Sequence, residues 1–328
     1  MKHNKTTFAT FSARCLVIAA SAMALPVAAQ GYPTKPIRIL VPFAPGGVGD
    51  LTARAVTQKM SVSLGQQIIV DNRPSAGGIV ASEIVAKAEP DGYTILLLNN
   101  LHAVSPSLFK SLPYDPLKDY APVSTLGAFS LVLMTSPDSP MRSVKELIAM
   151  AKASPGKLNV GTINIGATQH LAAELFKSMA GLDFVTVPFT STAAVVSALR
   201  GNSVQAAVEV LAPVIGQIKA GALRAIAVTA PARVAGLPDV PTVMESGVPE
   251  YQVIAWNGIG TPAKTPRAVI DRLNKAMHAA LDSPDVRQRF QELGVEPRPS
   301  TPEAFRQFLT AEIAKWQAVT EKAKIPKQ

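Results

Sequence analysis

The sequence predicts an α/β fold built on largely parallel sheets, and three observations carry that expectation. Short apolar, β-branched runs alternate with helical periodicities through most of the chain. The segments joining them are turns rich in glycine, proline and polar residues. A chain of 328 residues, 48% hydrophobic and only 17% charged, has enough apolar surface for one large core or two smaller ones.

In order, Ile37 to Val41 reads as a buried strand, and Pro42, Pro45, Gly46, Gly47 and Gly49 then break the chain. From Val48 the pattern is helical, with Val48, Leu51, Ala55 and Val56 on one face. A strand, glycine turn and helix aim free backbone N–H groups at whatever lies above the strand end, which favours an anion. The spacing is neither GxGxxG nor a Walker loop, so a tight turn without ligand fits this stretch equally well. Gln67 to Val70 is a second strand, followed by the loop Asp71 to Gly78 and a helix from Ile79 to Ala88. Thr94 to Leu98 is a third strand, with Asn99, Asn100 and His102 at the end where open parallel sheets bind ligands.

Phe129 to Thr135 is a further strand, and Ser143 to Glu146 is a capping box opening a helix. Leu158 to Gly161 is a strand entering the polar turn Thr162 to His170; the helix beyond it stops at Gly181. Phe184 to Val187, Val204 to Leu211 and Ala222 to Thr229 are strands, and a helix runs to Arg200. Trp256-Asn257-Gly258 opens a return segment. The C-terminal quarter is helical, with Thr265-Pro266, Ser283-Pro284 and Thr301-Pro302 each placing a capping residue before a first-turn proline.

The N-terminus has its own character. Lys2, Lys5 and Arg14 precede the apolar stretch Cys15 to Ala29, and Val27-Ala28-Ala29 offers a small-residue cleavage site. This is the pattern of a secretory signal peptide cut after Ala29, too short and too interrupted by Pro26 for a membrane anchor. The chain beyond it contains no cysteine, which excludes disulfides, thiol chemistry and thiolate metal sites there. A soluble, exported protein is expected. The formal charge of +9 is scattered, without basic runs or interleaved aromatics, which argues against nucleic acid.

PFAPGGVGDLTAR, at Pro42 to Arg54, resembles the first ligand loop of the tripartite tricarboxylate transporter substrate-binding proteins, the Bug family of periplasmic receptors. The family form PF-x-PGG-x-x-D-x-x-AR is matched at Phe43, Pro45, Gly46, Gly47, Asp50, Ala53 and Arg54. The resemblance continues at His102-Ala103, at ATQHLAAELF from Ala167, at Leu223 to Thr229 and at Leu237 to Thr242. Four departures stand out: Asn99 and Asn100 replace a Thr/Ser-rich stretch, Thr168 replaces a proline, Phe189 replaces a tyrosine and lacks the glycine after it, and Glu209 replaces an aspartate. What the resemblance implies is a two-lobed periplasmic binding protein fold, two mixed, mostly parallel sheets with a ligand cleft between the lobes. One lobe would hold residues 30–128 plus 254–328 and the other 129–253. Membership implies a small organic carboxylate as ligand, integral membrane transporter subunits as partners, a monomer, and no cofactor or metal.

The ligand site so implied draws on Phe43, Pro45, Gly46 and Gly47 in the first loop and Ala76 and Gly77 in the second. Asn99 and His102 follow at the third strand's end, then Thr162, Gly166, Ala167, Thr168 and His170 in the later turn, and finally Phe189 and Glu209. One carboxylate is expected over Gly46-Gly47, facing the turn from Gly166 to His170. Phe189 tilts the expectation toward a ligand with an apolar or aromatic body. Glu209 either meets a ligand hydroxyl, amine or ring nitrogen or holds a structural partner. The alternative from another class is a secreted enzyme acting on a carboxylate, with His102 or His170 as base. The chain lacks a GxSxG elbow and HExxH, and His170 with Glu174 has no evident third metal ligand. A third possibility is a receptor presenting its ligand to a membrane sensor.

Overall fold

The structure, a computed structural model, describes residues 31–163, 165, 167–322, 325 and 327, so the expected signal peptide lies outside the described residues. Of the chain's two units, Met1–Tyr32 and Pro33–Gln328, the second carries all the regular structure described. Its first part runs β1 (Ile37–Val41), α1 (Val48–Leu64), β2 (Ile68–Asn72), a 3-10 turn at Ala76–Gly78, α2 (Ile79–Ala86), β3 (Thr94–Asn99) and α3 (Asn100–Leu108). The long β4 (Tyr120–Thr135) leads into α4 (Val144–Ala153), β5 (Asn159–Ile163), α5 (Thr168–Met179), β6 (Val185–Phe189), α6 (Thr192–Arg200), β7 (Ala206–Val210), α7 (Leu211–Lys219) and β8 (Arg224–Val228). The chain returns through β9 (Ile254–Pro262), α8 (Arg267–Asp282), α9 (Pro284–Glu292), β10 (Val295–Pro297) and α10 (Pro302–Lys322).

Strand order is β2-β1-β3-β9-β4-β7-β5-β6, with β8 and β10 also on β4. The parallel pairings lie outermost, β1 with β2 and β3, β5 with β6 and β7; every pairing of β4 and β9 is antiparallel. β4 joins the two sheets by changing partners. Its residues up to Ser130 pair with β9, and from Leu131 it pairs with β7 and β8. Each parallel half thus follows the expected strand–turn–helix logic, and each sends its strand C-termini into helix N-termini.

Among the described residues, two apolar clusters pack helices onto the strands around the cleft. The larger one joins Leu40, Leu96 and Leu98 of the first sheet to Val208 of the second and to Leu171 and Phe176 of α5. The smaller packs Val195, Val196 and Leu199 of α6 against Val132 and Ala207. The C-terminal helix is latched to β9 by one carboxylate. Glu312 accepts from the indole nitrogens of Trp256, at 3.3 Å, and Trp316, at 3.1 Å, while Lys315 Nζ lies 3.1 Å from its other oxygen.

Of the three expected Ser/Thr–Pro caps, only Thr301 accepts a first-turn N–H, from Ala304 at 3.1 Å. The Thr265 and Ser283 hydroxyls instead donate backwards, to Pro262 O and Ala280 O, so these two do not cap. Of the box expected at Ser143, the cap itself forms, with Glu146 N–H donating to Ser143 Oγ at 3.2 Å; the Glu146 carboxylate accepts from Arg142 N–H, one residue before the cap, at 2.7 Å.

Candidate functional site

Five helices begin at one cleft of about 700 Å³. Its wall includes Gly47, Val48 and Gly49 at the start of α1, Asn99 and Asn100 at α3, and Thr168 and Gln169 at α5. Ser191 and Thr192 add the start of α6, and Val210, Ala212 and Pro213 that of α7. Each helix start brings roughly half a positive charge to the same space. Two of the five are closed by their own side chains, Asn99 Oδ1 accepting from Leu101 N–H at 2.8 Å and Ser191 Oγ from Ala194 N–H at 3.2 Å. The other three, α1, α5 and α7, have no side-chain cap, so their first-turn N–H groups remain for a guest.

The first of these is shaped by a buried acid. Gly46 has φ +88°, a conformation that glycine adopts without Cβ strain. Its N–H donates to Asp50 Oδ2 at 2.9 Å. Asp50 also accepts from Arg54 Nε at 3.0 Å and from Asn72 Nδ2 at 2.9 Å, and Asn72 Nδ2 lies 3.0 Å from Phe43 O. Burial works to raise the Asp50 pKa, but the Arg54, Gly46 and Asn72 hydrogen bonds outweigh it and hold the carboxyl below its usual 3.8. The aspartate and arginine of the motif therefore fix the loop rather than touch a ligand. The Gly46 N–H expected to face an anion is taken by Asp50, leaving Val48, Gly49 and Asp50 as the open donors of α1. Gly49 is required for contact, because a Cβ there would stand 2.8 Å from the Phe43 ring.

Among the described residues no lysine or arginine lines the cleft. Its ionisable side chain, Glu292, sits at the exposed rim, paired with Arg289 at 2.8 Å. Phe43, Phe129 and Trp256 supply the aromatic wall. The chemistry on offer is partial positive charge from backbone dipoles beside apolar surface.

Of the residues expected from sequence, Phe43, Pro45, Gly46, Gly47, Asn99, Ala167 and Thr168 line this cleft. Gly166 lies outside the described residues. Ala76 opens the 3-10 turn; Gly77 there has φ +61°, packs against Phe109 and is not part of the wall. His102 is wholly buried and holds the start of α3. Its Nδ1 accepts the Asn99 N–H at 3.1 Å, which leaves the ring proton on Nε2, donated to Ser82 Oγ at 3.0 Å; that hydroxyl passes its own proton to Gly78 O at 2.8 Å. Burial pushes the His102 pKa down to about 4. His170 is buried on α5 behind the wall, its pKa lowered by burial against the pull of Glu174.

Phe189 turns away from the cleft and joins the smaller apolar cluster beneath α6, so the aromatic surface comes from Phe43, Phe129 and Trp256 instead. Thr162 and Glu209 are fully buried behind the wall. Sequence reasoning missed Asn257, Phe129 and the starts of α6 and α7. It noted Asn100 without assigning it to the site; Asn100 lines the cleft and ties α3 to β9, accepting from Trp256 N–H at 2.8 Å and donating to Ile254 O at 3.2 Å. The adjacent asparagines at a strand end were the available signal; nothing in the sequence marked Phe129 or Asn257.

Residues 52–325 match the model of the tripartite tricarboxylate transporter family receptor. The chain belongs to that family. BugT of Bordetella pertussis is 37% identical over 306 residues, covering 93% of this chain and 94% of BugT. Among solved structures, an R. palustris protein with adipate is 32% identical with a TM-score of 0.81, covering 90% of this chain and 100% of that one. MatC from Rhodopseudomonas palustris with bound malate is 33% identical with a TM-score of 0.77, covering 88% and 99%. The receptor therefore has the two-lobed periplasmic binding protein fold, and its relatives are binding proteins rather than enzymes. No described helix is long and apolar enough to cross a membrane.

Proposed function

We propose that this receptor captures a small organic dicarboxylate in the cleft and delivers it to the integral membrane subunits of a tripartite tricarboxylate-type transporter. The observation that carries this reading is the cleft wall, where three uncapped helix N-termini face one another without a basic side chain between them. One carboxylate would take the N–H groups at the start of α1, and the other those of α5 and α7. The chain between them would lie against Phe43, Phe129 and Trp256. The solved relatives with adipate and with malate support the ligand class. Hydrogen bonds to a charged group contribute about 1.5–3 kcal/mol each, so a few suffice for micromolar affinity, which needs about −8 kcal/mol net of entropy losses.

The two lobes, 30–128 with 254–328 and 129–253, would close because one ligand touches both. Capture would proceed without turnover, since neither His102 nor His170, the bases an enzyme reading requires, lines the cleft. Export by the signal ending at Ala29 and action as a monomer in the periplasm complete the reading.

The test is thermal unfolding of the protein from Gln30 onward with adipate, malate and their diamides. At a hundred times the dissociation constant a ligand adds about 2.7 kcal/mol, a rise of several degrees. A shift with an acid and none with its diamide is expected; equal shifts with both would refute carboxylate capture.

A further inference from the structure

One buried group stands where three of the cleft's helix starts meet. Glu209, the penultimate residue of β7, is 0% exposed. Its Oε2 accepts from Thr192 Oγ1 of α6 at 3.0 Å and from the N–H of Val210, the residue capping α7, at 3.3 Å. The Gln169 side chain of α5 lies close enough to favour the charged form without closing a hydrogen bond, and Oε1 accepts none among the described residues. Gln169, Thr192 and Val210 all line the cleft, so Glu209 lies one layer behind it. An ionised carboxylate here already occupies the positive field that a ligand carboxylate would use.

We propose that Glu209 is a specificity-determining residue that makes acid binding proton-linked: ionised, it holds the positive ends of α5, α6 and α7 for itself; protonated, it yields them to a ligand carboxylate. This rests on the carboxylate reading above. The proton comes from solvent, and no other group in the neighbourhood competes for the role. On α5, His170 is kept below 6.5 by burial and is neutral above that pH, with Glu174 a turn further on. In α6 and α7 the charged residues, Arg200 and Lys219, stand at the far ends. β4 places Val132 opposite Glu209, and β5 ends at Ile163. At the cleft rim, Glu292 is paired with Arg289. Burial, not a neighbouring charge, pushes the Glu209 pKa up to about 7, inside the range where uptake is measurable. A ligand presenting an ammonium group at this end would do the reverse and release a proton.

Calorimetry with adipate and malate, both dianions between pH 6.5 and 8.5, reads the linkage. With Glu209 protonated in the complex, affinity falls about 25-fold across that window, and about half a proton is taken up at pH 7 in buffers of differing ionisation enthalpy. Glu209→Gln should flatten the profile, abolish the uptake and bind at pH 8.5 about 30-fold tighter than the parent, because only about 3% of the parent is protonated there. Thr192→Val, which removes a donor to Oε2, should move the midpoint of the profile upward and stands in if Glu209→Gln does not fold. An acid that binds with a flat profile and no buffer dependence overturns the proton linkage while leaving carboxylate capture intact. Absence of binding by every acid overturns both.

Discussion

His102 occupies the third position of α3, where a glutamine would complete the same capping box. Its imidazole accepts one backbone proton and donates another, and only the neutral ring can do both. Its folded pKa of about 4 lies below the unfolded 6.5, so the unfolded chain binds more protons between those values. Stability is therefore full above pH 6.5 and falls toward pH 4, by about 3 kcal/mol in total. Glu209 acts oppositely, its raised pKa lowering stability as pH rises from 4.5 to about 7, so the comparison is made against the parent chain, where that slope cancels. His102→Gln should fold at pH 7 with stability within about 1 kcal/mol of the parent and lose the acid-dependent difference. Urea unfolding of both proteins at pH 4.5 and 7 checks this; an identical pH dependence would contradict it. The sequence could suggest a ligand histidine because a polar residue at a strand end reads alike whether it faces the cleft or the helix start. Burial decides, and burial depends on Tyr114 and Tyr120, which pack around the ring from a segment a dozen residues on.

At the scale of the element, the first loop works as a unit of strand end, glycine turn and helix start held by Asp50. Asp50→Ala would remove the buried acceptor shared by the Gly46 N–H, the Asn72 amide and Arg54, at a cost of about 1–3 kcal/mol. The carboxylate's contribution is present above 3.8 and lost as pH falls through its lowered folded pKa, so at pH 7 the whole effect is visible. Loosening the loop also disorders the open N–H groups of α1, and acid affinity should drop at least about tenfold, read by calorimetry at a temperature where the variant is folded. Unchanged affinity would mean that α1 is not a ligand contact. This unit was legible from the motif, and β1 runs over the residues expected, Ile37–Val41. β4 was seen only as Phe129 to Thr135, because Pro122, Ser124 and Gly127 interrupt its first half. The register shifts between Pro122 and Ser124 and between Thr125 and Gly127 are where the strand accommodates them. α3, with Pro106 inside it, was missed for the same reason: local sequence argues against an element that tertiary packing imposes.

For the whole molecule, the governing feature is convergence. Alternation of strand and helix was readable along the chain, and it implies that helix starts gather at strand C-termini. Which of them share a cleft was not readable, because that depends on β4 and β9 bringing the two parallel halves together through antiparallel pairings. The starts of α6 and α7 carry no motif, yet Ser191, Thr192, Val210, Ala212 and Pro213 there line the wall beside the glycine loop. The measurement that tests the account most directly is a crystal structure of the receptor with adipate or malate. Both carboxylates should lie within about 3 Å of backbone N–H groups, one at the start of α1 and the other at the starts of α5 and α7, with no lysine or arginine in contact. A carboxylate bound by a basic side chain, or lodged away from those helix starts, would contradict it.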